Sequence, residues 1–136
     1  MAKGVPASKL FIGVPFYSRG FAGTNGLGQP ATGASPDSSW DPGVVDYKAL
    51  PITGATEQWD PVAQAGYSYD PVRKVLNTYD VPEAVKLKCQ YVIQKGLGGL
   101  IIWESIPPFP SRIEAYRRLR GCTVWNRSFS LTNNPR

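Results

Sequence analysis

A chain of 136 residues, 42% hydrophobic and 12% aromatic, can build one ordinary domain with a packed core, and it is too apolar to be disordered throughout. It contains no histidine, which excludes histidine-based triads, histidine-ligated zinc and imidazole acid–base chemistry. The net charge of +5 suggests nucleic acid until it is located: residues 1–105 carry nine basic and nine acidic side chains, so the whole excess lies in 106–136, where six arginines face only Glu114.

Leu10, Phe11, Ile12, Gly13 and Val14 form a short apolar run without alternation, the pattern of a strand buried on both faces in a parallel sheet or barrel. It leaves through Phe16, Tyr17, Ser18 and Arg19. Residues 20–46 are rich in Gly, Ser, Pro and Thr and read as a long loop. A short strand is expected at 56–60. Around Asp70, Pro71 and Val72, alternating large residues at 67–69 and 75–79 predict a β-hairpin, so this stretch reads as a small antiparallel sheet.

Asp80, Pro82 and Glu83 are helix-start signals, and Gly96 is a stop. Between them Ala84, Val85, Leu87, Cys89, Tyr91 and Val92 recur at helical spacing and predict one broad apolar face. Leu97 to Trp103 repeats the buried-strand pattern. Strand, small sheet, helix, strand is the order of a βαβ unit with an insertion before its helix. The two cysteines, Cys89 and Cys122, match no metal spacing, and Cys89 reads as a buried free thiol. No apolar run approaches the roughly 20 residues of a membrane span, and the first residues have no signal-peptide pattern. No membrane partner is therefore expected, and the cellular location and oligomeric state stay unassigned.

Four stretches carry a resemblance: KLFIGVPFYSRGF at 9–21, SWDPGVVDYKALP at 39–51, WDPVAQAGYSYD at 59–70 and GLGGLIIWE at 96–104. In this order and spacing, over roughly 8–105, the chain resembles the C-terminal part of family 18 glycoside hydrolases, the chitinases. The resemblance implies an α/β fold: a partial TIM barrel, its last two strands and a helix, from 8–19 and 81–105. A small α+β chitinase insertion domain is implied at 20–80, and an unrelated Arg-rich tail follows at 106–136. Barrel active sites lie at the C-terminal ends of the strands, which is where Tyr17, Arg19 and Trp103 fall.

The resemblance also implies the chemistry. In this family the N-acetyl oxygen of the substrate is the nucleophile, and the protein supplies a general acid, a carboxylate that orients the N-acetyl group and aromatic surfaces. The family's acids lie in D-x-x-D-x-D-x-E, and that pattern is absent here. The chain is thus expected to supply part of a groove for chitin or chito-oligosaccharides without the proton donor. It implies no catalytic residue, no cofactor and no metal. The alternative is a non-catalytic chitin-binding protein.

Trp103 is the implied floor beneath the sugar beside the cleaved bond; a Trp closing a strand is otherwise a core residue. Arg19 offers five donors to sugar hydroxyls and carbonyls, against the alternative of a solvated surface side chain. Tyr17 is expected either on a sugar or in the core. Asp41 stands where relatives have a Glu that pairs with the Arg and touches substrate, and its shorter side chain puts that contact in question. Glu104, by strand alternation, points away from the side Trp103 faces and is rejected as the donor. Trp59, Tyr67, Tyr69 and Tyr79 are expected in the small domain's core.

The resemblance stops at 105, where the charge also breaks, and residues 113–119 read as a short helix without assigned function. Nucleic-acid binding through this tail is a minor alternative. Two strands of an eight-stranded barrel cannot close, so poor solubility or loose order is expected.

Overall fold

The computed structural model describes residues 4–103, 122–126 and 129–131. Its regular elements in chain order are strands β1 (Phe11–Pro15), β2 (Arg19–Ala22), β3 (Gly33–Ala34), β4 (Thr56–Asp60), β5 (Ala65–Asp70) and β6 (Val75–Thr78), helix α1 (Pro82–Lys95), then β7 (Gly99–Trp103), β8 (Val124–Asn126) and β9 (Phe129–Leu131). The chain divides into two compact units, one of Met1–Pro15 with Pro82–Arg136 and one of Phe16–Val81. The helix of the notional 113–119 stretch and the side chain of Glu104 lie outside the described residues.

The first unit is a four-stranded sheet in the order β1-β7-β8-β9. β1 and β7 run parallel, in register from Phe11↔Gly99 to Pro15↔Trp103. Parallel neighbours require a crossover, and α1 is the helix that precedes β7. Gly96 ends α1 at φ 61°, a left-handed turn that costs a glycine little. There the Leu97 N–H donates to Val92 O at 2.9 Å. The helix buries Ala84, Val85, Cys89 and Val92, and both β1 and β7 pack on it. Val14 and Leu100 are fully enclosed.

Two expectations need correction here. The strands are not buried on both faces: Val14, Leu100 and Ile102 are covered, whereas Phe11, Ile101 and Trp103 are 42–51% exposed. An unbroken apolar run reveals hydrophobicity but not which elements cover each face. Tyr91 also lies off the buried helix face, 49% exposed, with the Lys95 ammonium 5.8 Å from its ring centroid. The segment beyond 105 meanwhile supplies β8, which pairs parallel with β7 from Leu100↔Val124 to Ile102↔Asn126.

The second unit is an antiparallel sheet in the order β3-β2-β6-β5-β4. Two alike turns shape it. Asp60 Oδ1 accepts from the Val62 and Ala63 N–H groups, and Asp70 Oδ1 from those of Val72 and Arg73. Each turn then places a residue at positive φ, Gln64 at 51° and Lys74 at 53°. Repetition of Asp-Pro-Val explains the likeness, because Asp caps its own turn and Pro presets φ. Arg73 Nη2 meets Asp37 Oδ1 at 2.8 Å, and that hydrogen bond, aided by the carboxylate's charge, raises the guanidinium's pKa.

Phe16 stacks on Tyr47 with centroids 5.0 Å apart, and Tyr79 meets Tyr47 edge-on at 6.1 Å. Val44, Val45, Leu50, Val75 and Leu76 complete this core. Of the four aromatics expected there, only Tyr79 is fully enclosed; Trp59, Tyr67 and Tyr69 are half-buried. For the two tyrosines their polar ends explain this: the Tyr67 hydroxyl donates to Gln58 Oε1 at 2.7 Å and that of Tyr69 to Thr24 O at 3.0 Å. The loop expected over 20–46 contains β2 and β3, so glycine and serine there serve close strand packing as well as turns. Among the described residues no helix is long and apolar enough to cross a membrane.

Candidate functional site

Alternation along the chain into β2 sorts its side chains. Ser18 and Gly20 are buried, and Tyr17, Arg19 and Phe21 turn the other way. The inward side is fixed by polar contacts. The Ser18 hydroxyl donates to Asn77 Oδ1 at 3.2 Å, with both residues wholly enclosed. Gly20 leaves no space for a side chain, since a Cβ there would stand 2.6 Å from Asn77 Oδ1 and 2.7 Å from Ser35 Cβ. A slip of one residue would bury the Arg19 charge and expose Ser18, so this inner row specifies the register.

The loop at 38–46 is laced to that strand. Gly20 N–H donates to Gly43 O at 2.6 Å and Ser18 N–H to Val45 O at 2.8 Å. Gly43 has φ 73°, and a Cβ on it would approach Gly20 O at 2.7 Å, so only glycine suits the position. Inside the loop, Val44 N–H donates to Asp41 O at 2.8 Å, and the Ser39 hydroxyl accepts from Asp46 N–H at 3.0 Å.

This lacing sets Trp40 beside Tyr17. Their rings meet edge-on with centroids 5.7 Å apart, and the Arg19 guanidinium carbon lies 5.5 Å from the Tyr17 centroid. The indole N–H of Trp40 donates to Asp46 Oδ1 at 3.1 Å, and Lys48 Nζ lies 3.5 Å from Asp46 Oδ2. With its N–H occupied, Trp40 still exposes 54% of its surface. A recess of about 470 Å³ opens beside Arg19, between Phe21, Ala31, Ala34 and Pro42.

The structure therefore groups Tyr17 and Arg19. Asp41 lies in the same unit, next to Trp40, with an exposed side chain, and it makes no ion pair with Arg19. Trp103 belongs to the other unit, where it is the last residue of β7 and 51% exposed, on the sheet face opposite Ile102. Trp40 is the member that sequence reading missed. Its signal was present as an aromatic in a Gly- and Ser-rich loop, but its pairing with Asp46, six residues on, shows only in three dimensions.

Flat aromatic faces beside a guanidinium suit a ligand with C–H faces and many oxygens, as a sugar has. The set contains no pair of facing carboxylates. Among the described residues no group of three or more His, Cys, Asp or Glu side chains could hold a metal ion.

Comparison with known proteins agrees with the sequence motifs. The model of glycosyl hydrolases family 18 matches residues 1–105. Endochitinase 1 of Metarhizium robertsii is 48% identical over 102 residues, 75% of this chain but 24% of that protein. Chitinase A1 of Niallia circulans is 40% identical over 110 residues, 74% of this chain and 16% of its own length. The chain thus spans a quarter or less of these two relatives. A plant class V chitinase mutant from Cycas revoluta, solved in complex with (GlcNAc)3, is 33% identical with a TM-score of 0.66, over 76% of this chain and 31% of that one. A class V chitinase from Nicotiana tobaccum gives 29% and a TM-score of 0.67 over the same shares. With mixed α/β content, the motifs in order and the family model matched from residue 1 to 105, the chain belongs to glycosyl hydrolase family 18.

Proposed function

We propose that this chain is the C-terminal part of a chitinase, supplying one wall of the groove that holds β-1,4-linked N-acetylglucosamine chains. In this reading 8–19 and 81–105 are the end of a TIM barrel, 20–80 is the insertion domain, and 106–136 is a tail foreign to the family. Trp103 would stack beneath the sugar at the cleaved bond. Arg19 would donate to sugar oxygens, Tyr17 and Trp40 would present ring faces, and Asp41 would accept from a hydroxyl. The whole enzyme would work by substrate-assisted, retaining catalysis. Without D-x-x-D-x-D-x-E, this chain would lack the general acid and would not hydrolyse chitin alone.

The observation that carries the reading is the half-exposed aromatic and guanidinium cluster of Tyr17, Arg19 and Trp40 on family motifs. The solved relative with (GlcNAc)3 supports the ligand class. The test is a fluorescence titration of the purified chain with N-acetylchito-oligosaccharides, repeated with Arg19→Ala and Trp103→Ala. Saturable binding weakened by both substitutions supports the proposal; binding unchanged in both contradicts it. The exposed, preset Trp40 also favours a second reading, a chitin-binding protein without catalysis. High affinity in the isolated chain that is not improved by the rest of a family 18 barrel would decide for it.

A further inference from the structure

The family match ends at residue 105, yet the sheet of the first unit continues beyond it, in the order β1-β7-β8-β9. β8 runs parallel to β7, from Leu100↔Val124 to Ile102↔Asn126, and the Leu100 N–H donates to Thr123 O at 2.9 Å. Val124 is 7% exposed and joins Leu100 and Ile102 on the covered face of the sheet. Cys122 is enclosed as well, and that burial pushes its thiol up to about 12. β7 suits this neighbour. Gly99, at φ 145°, has Thr123 O so near that a Cβ on it would overlap that oxygen. On its other side β8 pairs antiparallel with β9, from Val124↔Leu131 to Asn126↔Phe129.

A TIM barrel closes only when each of its strands has a parallel neighbour on both sides. With β1 and β7 as the last two strands, β1 takes one edge of β7, and the first strand of the barrel needs the other. β8 already holds that edge, in the parallel sense the first strand would have. The antiparallel β9 behind it has no place in an all-parallel barrel.

We propose that β8 occupies the edge of β7 that barrel closure requires, so that the strand pair β8–β9 and the first strand of a family 18 barrel compete for one docking edge. This rests on the reading of 8–19 and 81–105 as the end of a barrel. The partner that fits the edge is a polypeptide carrying the other six parallel strands, and it docks only where β8 has left. While docked, β8 also keeps β7 from pairing edge to edge with further copies, which an open strand invites.

The probe is Endochitinase 1 of Metarhizium robertsii shortened by the part that this chain matches. It is refolded with the unchanged chain, with Trp125→Pro and with Val124→Lys. β8 lies between two ladders, so a proline at 125 removes a ladder N–H, and a lysine at 124 places a charge on an enclosed face. Hydrogen exchange is read first: the Leu100 amide is protected in the unchanged chain and exchanges at least about tenfold faster in both variants, while the dichroism of α1 is kept. Co-purification with the probe and release of fluorophore from a fluorogenic chito-oligosaccharide are then expected with the variants, on the order of tenfold above the unchanged chain. An excess of free peptide spanning 122–131 removes the gain. Equal yields from all three chains would overturn the proposal and leave the barrel reading standing. No co-purification with any of them would overturn both. A Leu100 amide unprotected in the unchanged chain would overturn the proposal by itself, and that measurement needs no variant.

Discussion

Replacing Gly20 with alanine adds one methyl group where the structure has no room for it. The Cβ would fall 2.6 Å from Asn77 Oδ1, 2.7 Å from Ser35 Cβ and 3.2 Å from Gly43 O. None of these yields cheaply. Asn77 is fully enclosed and accepts from Ser18, Ser35 donates its N–H to Gly20 O at 2.9 Å, and Gly43 O accepts from Gly20 N–H at 2.6 Å. Relief therefore breaks a buried hydrogen bond or lifts the 38–46 loop off β2. Overpacking costs about 1–3 kcal/mol and a lost buried hydrogen bond about 1–3 kcal/mol more, so we expect the second unit to lose about 2–6 kcal/mol. Urea denaturation followed by near-UV dichroism of the Tyr and Trp residues measures this. The substitution should also weaken chito-oligosaccharide binding, because Arg19 and Trp40 are held by the same two strands of contact. A loss below about 0.5 kcal/mol would refute the claim that this inner row is rigid.

Three further outcomes follow from other parts of the molecule. Leu100→Ala should destabilise the first unit by about 2–4 kcal/mol, since this fully buried side chain lies between α1 and the sheet; circular dichroism of α1 against urea reads it. Asp46→Ala should leave the Trp40 indole N–H without its acceptor and weaken sugar binding about fivefold, whereas Asp46→Asn, which keeps an acceptor oxygen, should bind nearly as the unchanged chain does; calorimetric titration compares them. For Cys122 the sign is set by a raised thiol pKa, about 12 in the folded chain against an ordinary 9.0. Below pH 9 both states hold the proton and nothing is lost; as pH climbs above 9 the unfolded chain ionises first, so stability falls between 9 and 12. Cys122→Ser should flatten that part of the pH–stability curve.

Much of this fold was legible in the sequence because its strands and helix carry local signals. Pro82, Glu83 and Gly96 bracket α1 at both ends, and its limits Pro82–Lys95 match the reading. The Asp-Pro-Val turn at 70–72 announces the hairpin β5–β6, because an aspartate caps a turn within three residues of itself; the same motif at 60–62 joins β4 to β5, a hairpin the sequence reading left as a single strand. What was not legible depends on distant partners. Exposure of Phe11, Ile101 and Trp103 depends on what the rest of the chain places over that face, and no run of apolar residues encodes it. The strands β2 and β3 hide in a Gly- and Ser-rich stretch because Gly20 and Ser35 are there for close approach to Asn77 and Gly43, not for turning. In the site, motif resemblance supplied Tyr17, Arg19, Asp41 and Trp103. Trp40 emerged only when its ring was seen against Tyr17 and its N–H against Asp46. The absence of an Arg19–Asp41 ion pair is likewise something the motif alone does not state.

The central claim, a sugar-binding wall without its proton donor, is tested most directly by giving the purified chain a fluorogenic chito-oligosaccharide and following release of the fluorophore, with Trp103→Ala as control. The account predicts no turnover above the uncatalysed rate in either protein, alongside saturable binding in the unchanged chain. Turnover in the unchanged chain that Trp103→Ala abolishes would contradict it. An acid within these 136 residues, Glu104 first among them, would then be the proton donor.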